Sequence, residues 1–410
     1  MSQLLVEYPL TRPPICDNPL ARGADGVLRY GNLTPALTEL LDLRVHAFAN
    51  REAVVEIGGP RLTYRQLWHS ASRIAGGLQE HGIGFGDRVA IHMPAGVRWV
   101  QAFLGALLSG AVPVLVHDGL PTEVAERVIA DSNTDFVLGS GAGGGEPVLP
   151  DGAAFIDDGA ALGDLALLCY TSGGRVPMGV ELTNENLLSA IRSVVAALDL
   201  PTDGLRNLVL LPLAHASGCV DQLLPTFAVG GTVVLAPDSR GLAQMLVAER
   251  IDMVSATPRI FGRLLPKLAA SRTDGLGAES ISRISNAGHR AERSCSPPEL
   301  AAALRDAFPA ARQWSVWGAT ETSGIGLVVD DVYAAADTVL GFPFGGTELA
   351  LWGPRAGAGQ GELLCRGPNV THRYWNDPKS TADRFTGSWF HTGDQVTIAA
   401  DGLVRRGTGH

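Results

Sequence analysis

Gly86–Val116, GDRVAIHMPAGVRWVQAFLGALLSGAVPVLV, is the stretch whose reading decides the fold. Gly86–Met93 reads as a turn and a buried strand, Val97–Ser109 as a helix, and Val112–Val116 as a second apolar strand. Its uncharged part, Val100–Val116, holds Gly105, Gly110 and Pro113 and is short for a membrane span, so a buried helix feeding a buried strand is the better reading. Upstream, Leu67, Ala71, Ile74, Ala75 and Leu78 fall on one helical face. The same rhythm returns downstream in Leu208–Leu213, Thr232–Leu235 and Met253–Ala256. Strands alternating with helices predict an α/β fold: layered parallel sheets covered by helices, in two lobes. From about Phe342 the segments shorten, with strands expected at Leu349–Trp352, Glu362–Arg366 and Val396–Ala399, which predicts a small β-rich subdomain. The glycine cluster Gly139–Gly145 and the acidic, alanine-rich stretch to Asp164 read as a surface connection between the lobes. The expected domains are therefore 1–164, 165–341 and 342–410.

Composition bounds the function. The 410 residues carry a net charge of −10, with 46% hydrophobic and 18% charged residues, the mix of a globular protein. No arginine run interleaves with aromatics, so a nucleic-acid partner is not expected. Only Lys267 and Lys379 are lysines, so any lysine chemistry has two candidates. The five cysteines, Cys16, Cys169, Cys219, Cys295 and Cys365, are odd in number and never in a Cys-x-x-Cys pair, and read as buried free thiols. MSQLLVEYPLTRPP lacks a basic segment followed by an apolar core, so the expectation is a cytoplasmic protein with no membrane partner.

Several motifs are excluded. Gly139–Gly144 formally matches a dinucleotide fingerprint, but GEPVLPDG follows it and breaks the helix that a pyrophosphate would need. There is no Walker A lysine, His-Glu-x-x-His or Gly-x-Ser-x-Gly elbow. The stronger signal is Leu165–Leu187, LALLCYTSGGRVPMGVELTNENL. There a buried strand runs into Thr171-Ser172-Gly173-Gly174, where hydroxyls and side-chain-free backbone can point successive N–H groups at phosphate oxygens. Alone, this segment is equally readable as an ordinary glycine turn.

Its neighbours decide. In order along the chain come LTYRQLWHSA (Leu62–Ala71), GIGFGDRVAI (Gly82–Ile91), FLGALLSGAVPVLV (Phe103–Val116), the YTSG loop, PLAHASG (Pro212–Gly218) and GGTVVL (Gly230–Leu235). TPRIFGRLL (Thr257–Leu265), NAGHRAE (Asn286–Glu292), WGATET (Trp317–Thr322), GELLCRGPNV (Gly361–Val370) and WFHTGD (Trp389–Asp394) follow. This ordered series resembles the N-terminal domain of the adenylate-forming superfamily of acyl- and aryl-CoA ligases, luciferases and nonribosomal adenylation domains.

The resemblance implies a site. Thr171, Ser172 and Gly173, with Gly174 and Arg175, would meet the triphosphate of ATP. Asn286, Ala287 and Gly288 would form the adenine edge and a wall of the acid pocket. Gly318, Ala319 and Thr320 would approach AMP, with Thr320 at the α-phosphate. Glu321 would hold Mg²⁺, the hard cation that accompanies phosphates. Asp394 would accept from the ribose hydroxyls. His215, Gly218, Gly288 and Trp317 would line or gate the acid pocket. His215, Thr320 and Glu321 are the expected catalytic residues.

The family's phosphate loop reads TSGTTGxPKG. Here TSGGRVPMG is one residue shorter, with Met178 at the lysine position and Arg175 as its one cation, whose planar fork is no simple substitute for an ammonium. The family also carries a small C-terminal domain with the adenylation lysine after the hinge, and DGLVRRGTGH falls about where that hinge is expected. Three readings follow. The first is the large domain of an acid-activating ligase, with a C-terminal domain elsewhere. The second is a shortened enzyme that uses an acyl or aryl adenylate and passes the acyl group to an amine or thiol. The third is a catalytically degenerate protein that binds a small acid or a partner. Leu213–Ser217 lacks the aspartate that amino-acid-activating relatives place there, so the expected substrate is an aromatic or medium-length aliphatic acid without an α-ammonium group. The expected acceptor is CoA or a carrier-protein pantetheine.

Overall fold

A computed structural model describes residues 4–10, 20–139, 148–171, 177–202, 204–236, 242–271, 281–288, 298–330 and 338–407. The fold-deciding stretch forms as expected, with strand Arg88–His92, helix Val97–Leu108 and strand Val112–Leu115. The preceding helix, Tyr64–Glu80, starts at a reciprocal cap: Gln66 N–H donates to Thr63 Oγ1, and Thr63 N–H donates to Gln66 Oε1. The two helices lie against each other because Gly105 has no side chain; a Cβ there would stand 2.5 Å from Ile74 Cγ2.

Two sheets carry the fold. The smaller has five strands in the order Gly179–Thr183, Leu165–Tyr170, Val112–Leu115, Arg88–His92 and Phe136–Gly139. All neighbours are parallel except the first pair. The larger has 15 strands among the described residues. Its parallel part runs Arg312–Trp317, Arg283–Gly288, Met253–Ala256, Arg206–Val209, Thr232–Leu235 and Glu52–Glu56. Its antiparallel part gathers the strands from Leu327 onward, and Leu5–Tyr8 pairs with Glu348–Trp352 at the far edge. The short-stranded β-rich region is thus an extension of the main sheet.

Four sequence expectations need correction. The boundary at 164/165 does not divide the sheets. Leu165–Tyr170, almost wholly buried, slots beside Val112–Leu115, whereas Glu52–Glu56 leaves the first lobe to pair with Thr232–Leu235. The described part of the supposed inter-lobe connection, 148–164, instead lies along the helices of the five-stranded sheet. Gly152 N–H donates to Arg73 O, Phe155 N–H to Ser72 O and Asp157 N–H to Leu108 O. Gly76 permits that approach, since a Cβ there would sit 1.7 Å from Ala153 O. Finally, the strand expected at Leu208–Leu213 is Arg206–Val209, because Leu211 and Leu213 are buried from a loop rather than from a strand. The strand expected at Val396–Ala399 is the tail of the longer Trp389–Ile398, so WFHTGD is itself β-structure. Among the described residues no helix is long and apolar enough to cross a membrane.

Candidate nucleotide and acid site

In an open parallel sheet the strand ends present backbone and loops where ligands collect. Leu165–Tyr170 delivers Thr171 to such an end. Thr171 N–H donates to Met178 O at 3.0 Å, and Met178 N–H returns to Thr171 Oγ1 at 3.0 Å, so the two residues form a closed neck. Met178 packs its side chain against the main hydrophobic core. Ser172, Gly173, Gly174 and Arg175 lie outside the described residues.

The Trp317–Thr322 motif leaves its strand as a tight turn. Gly318 lies so close to Gly324 that a Cβ would stand 2.2 Å from Gly324 O. Thr320–Thr322 form a single 3₁₀ turn, after which Ser323 (φ 59) and Gly324 (φ 85) reverse the chain through the left-handed region. Half-buried Ala319 is tied into this turn: its N–H donates to Thr322 Oγ1 at 2.9 Å, and its carbonyl accepts from Gly324 N–H at 2.8 Å.

A distant segment clamps the turn. Buried Asn369 donates through Nδ2 to Thr322 O at 3.1 Å and Ile325 O at 3.3 Å, while Ser323 Oγ donates to Asn369 O at 2.7 Å. Thr371 N–H donates to Glu321 O at 2.8 Å. The Tyr374 hydroxyl donates to Glu321 Oε1 at 2.6 Å. That segment also grips the strand leaving the phosphate loop, because Trp375 N–H donates to Gly179 O at 2.8 Å and Tyr374 bridges to Val180. Tyr374 therefore joins Glu321 to the exit of the loop whose entrance is Thr171. Sequence reasoning passed over both Tyr374 and Asn369; the signal available for Asn369 was its place in GELLCRGPNV.

The acid-side motif meets the same corner. Gly324 packs on Ala216, whose carbonyl carbon would be 3.2 Å from a Cβ at 324. Burial pushes the Cys169 thiol up to about 12, opposed by a hydrogen bond from the Ala216 backbone and assisted by the charge of Glu321. The phosphate-loop strand, the PLAHASG loop and the WGATET turn thus converge on Cys169. Half-buried His215 stands at the start of the helical stretch Ala216–Gly218, its ring centroid 5.1 Å from that of His117. His117 follows the strand Val112–Leu115, whose Leu115 is paired with Cys169, and its Nδ1 accepts from Gly119 N–H at 2.8 Å. It too was missed, although a polar residue directly after a parallel strand is itself a signal.

The remaining expected residues are placed as follows. Gly218 is buried where a Cβ would meet Pro212 O at 2.1 Å, so its smallness serves backbone packing. Trp317 is 2% exposed and belongs to a core with Leu327, Leu340, Leu349 and Phe390. The expectation that it lines or gates a pocket gives way to a packing role, as is usual for a buried indole. Asn286 is buried in Arg283–Gly288, in register with Ala256 and Ser315. Ala287 and Gly288 continue that strand opposite Val316 and Trp317. Asp394 enters from Trp389–Ile398, where the pairing with Gln360–Arg366 slips between Glu362 and Leu364. Gly393 (φ 74) donates to Glu362 Oε1 at 2.8 Å and Asp394 N–H to Thr392 Oγ1 at 3.1 Å, so an irregularity re-aims this carboxylate.

The model of the AMP-binding enzyme family matches residues 41–375. The chain belongs to this family. Among its relatives, feruloyl-CoA synthase of Amycolatopsis is 31% identical over 372 residues, covering 85% of this chain and 73% of the relative. A long-chain-fatty-acid–CoA ligase of Mycobacterium tuberculosis is 28% identical, covering 84% of this chain and 72% of the ligase. Among solved structures, the N-terminal domain of FACL13 from the same organism superposes with a TM-score of 0.79 at 25% identity, over 91% of this chain and all of that one. The fold is thus that of an acyl-CoA ligase N-terminal domain, and the AMP-binding family reading covers all the clamp residues up to Trp375.

Proposed function

We propose that this protein is an ATP-dependent acid-activating ligase. A carboxylate oxygen of the substrate attacks the α-phosphorus of ATP, pyrophosphate leaves from that phosphorus, and the acyl-adenylate passes its acyl group to a thiol, that of CoA or of carrier-protein pantetheine. The observation that carries this reading is the clamp in which Tyr374 joins Glu321 to the phosphate-loop exit. Two anions must meet here, so the protein's task is positioning and electrostatic stabilisation.

The residues fit magnesium. Glu321 is 5% exposed, with Oε1 held by Tyr374 and its second oxygen without a hydrogen-bond partner among the described residues. Glu321 would hold the cation, which when bound neutralises phosphate oxygens. Thr171 and the loop beyond it would face the phosphates, Thr320 the α-phosphate, Asp394 the ribose, and Asn286 with Ala287 and Gly288 the adenine. His215 would stand at the carboxylate. This closed clamp supports an active ligase over a degenerate binding protein.

We further propose an aromatic or medium-length acid without an α-ammonium group, activated in the cytoplasm. Its support is the uncharged Leu213–Ser217 segment apart from His215, and the feruloyl-CoA synthase relative. The one carboxyl group of Ala216–Ala228, Asp221, is fully buried, and burial pushes its pKa up to about 7.

ATP–pyrophosphate exchange over a panel of cinnamic, benzoic, medium-chain and amino acids tests this reading. Exchange with the first three classes and none with amino acids is expected. No exchange with any acid, together with no rise in melting temperature on adding a non-hydrolysable acyl-adenylate analogue, overturns it.

A further inference from the structure

Away from the strand ends, a groove of about 320 Å³ opens between helix Leu37–Phe48, helix Asn184–Ala197 and the end of helix Leu224–Ala228. Ala228 and Val229 close a helical run that begins beside His215, so at 1.5 Å per residue the groove lies about 20 Å from the acid site. Its walls are mainly apolar, with Leu43, Phe48, Ile191 and Val195 beside the polar Asn32, Thr34 and Thr202, and Leu43 stands 56% exposed at the surface.

Two arginines line this trough. Arg192 is held by donating through Nη1 to Gly31 O at 2.8 Å and by lying 5.5 Å over the Tyr30 ring. Arg44 is different. Its Nε is buried without an acceptor, and it forms no ion pair among the described residues. Its positive charge therefore has no carboxylate against it among the described residues. None of the described residues lining the groove is a carboxylate, although the chain as a whole has a net charge of −10. A mainly apolar trough lined by two arginines and no carboxylate is complementary to a molecule that is apolar along its length and anionic at one end.

We propose that this groove binds a single-chain carboxylate amphiphile of about ten carbons, a size suited to a small-molecule site of this volume. The acyl chain lies along Leu43, Phe48, Ile191 and Val195, and the carboxylate meets Arg44 and Arg192. The proposal stands independently of the adenylation reading, since none of these residues belongs to the strand-end site.

Calorimetric titration with decanoate tests it, with decanol and decyltrimethylammonium as chemical controls. With the strand-end acid site filled by a non-hydrolysable acyl-adenylate analogue, one saturable decanoate site is expected, weakened at least tenfold in Arg44→Gln/Arg192→Gln and also in Leu43→Asp, which places a like charge on an exposed position of the groove. Decanol and decyltrimethylammonium are expected to bind no better than decanoate binds the double variant. Decanoate affinity within twofold of the parent in Leu43→Asp, equal binding of decanol, or no saturable binding overturns the proposal. Leu43→Asp is decisive by itself if the double variant does not fold, because Leu43 is exposed.

Discussion

The turn at Thr320–Gly324 and the neck at Thr171–Met178 approach the same corner of the molecule and are secured in different ways. The turn is stapled from outside by Asn369, Thr371 and Tyr374. The neck is closed by two hydrogen bonds between its own ends, and its family lysine position is taken by a methionine turned to the core. The half of the site that would hold AMP and the cation is held by many tertiary contacts, while at the half that would hold pyrophosphate the same segment grips only the exit strand at Gly179 and Val180. Divergence in the loop therefore leaves the remainder of the site intact.

The largest test of this contrast is Glu321→Gln. It should lower the pyrophosphate-exchange rate by about a hundredfold or more, the order expected for losing a preorganised electrostatic group, with the melting temperature nearly unchanged. An unaltered rate removes Glu321 from the site. Next is Asn369→Ala, which strands the carbonyls of Thr322 and Ile325 in the interior. A loss of about 2 kcal/mol in urea unfolding is expected, and a loss below about 0.5 kcal/mol would show that the turn holds without its staple. Tyr374→Phe removes one hydrogen bond to a carboxylate and should cost about 1.5 kcal/mol, roughly tenfold in exchange rate. An effect on stability with none on rate would separate Tyr374 from catalysis. Smallest is Met178→Lys, whose partly exposed charge is worth less than about 1 kcal/mol. A few-fold lower KM for ATP is expected, and a hundredfold gain would mean that the neck, not the turn, limits the reaction.

The elements themselves were legible because helical and strand periodicities are local. Tyr64–Glu80, Val97–Leu108 and Val112–Leu115 declare themselves through the spacing of their apolar residues. The motif series likewise singled out Thr171, Thr320 and Glu321 as candidates from sequence alone. What escaped was non-local. Nothing near Tyr374 indicates that its hydroxyl meets a carboxylate 53 residues earlier. Nothing in Glu52–Glu56 names Thr232–Leu235 as its neighbour, and the apolar character of Leu211 and Leu213 imitates a strand because burial from a loop demands the same residues. Trp317 shows the converse, where membership in a motif suggested a ligand role and the surrounding core supplied a packing one.

The exchange of strands between the sheets also has a consequence for synthesis. Val54 pairs with Val233. At translation speeds of 5–20 residues per second, the ribosome adds the partner about 10 to 35 s after the first strand has been made. During that interval the apolar stripe Ala53-Val54-Val55, fully buried in the finished protein, has no native neighbour on its Thr232–Leu235 side. The nascent chain must carry an open strand edge through more than two-fifths of its own elongation, which makes residues 52–56 the natural place for a chaperone to engage it.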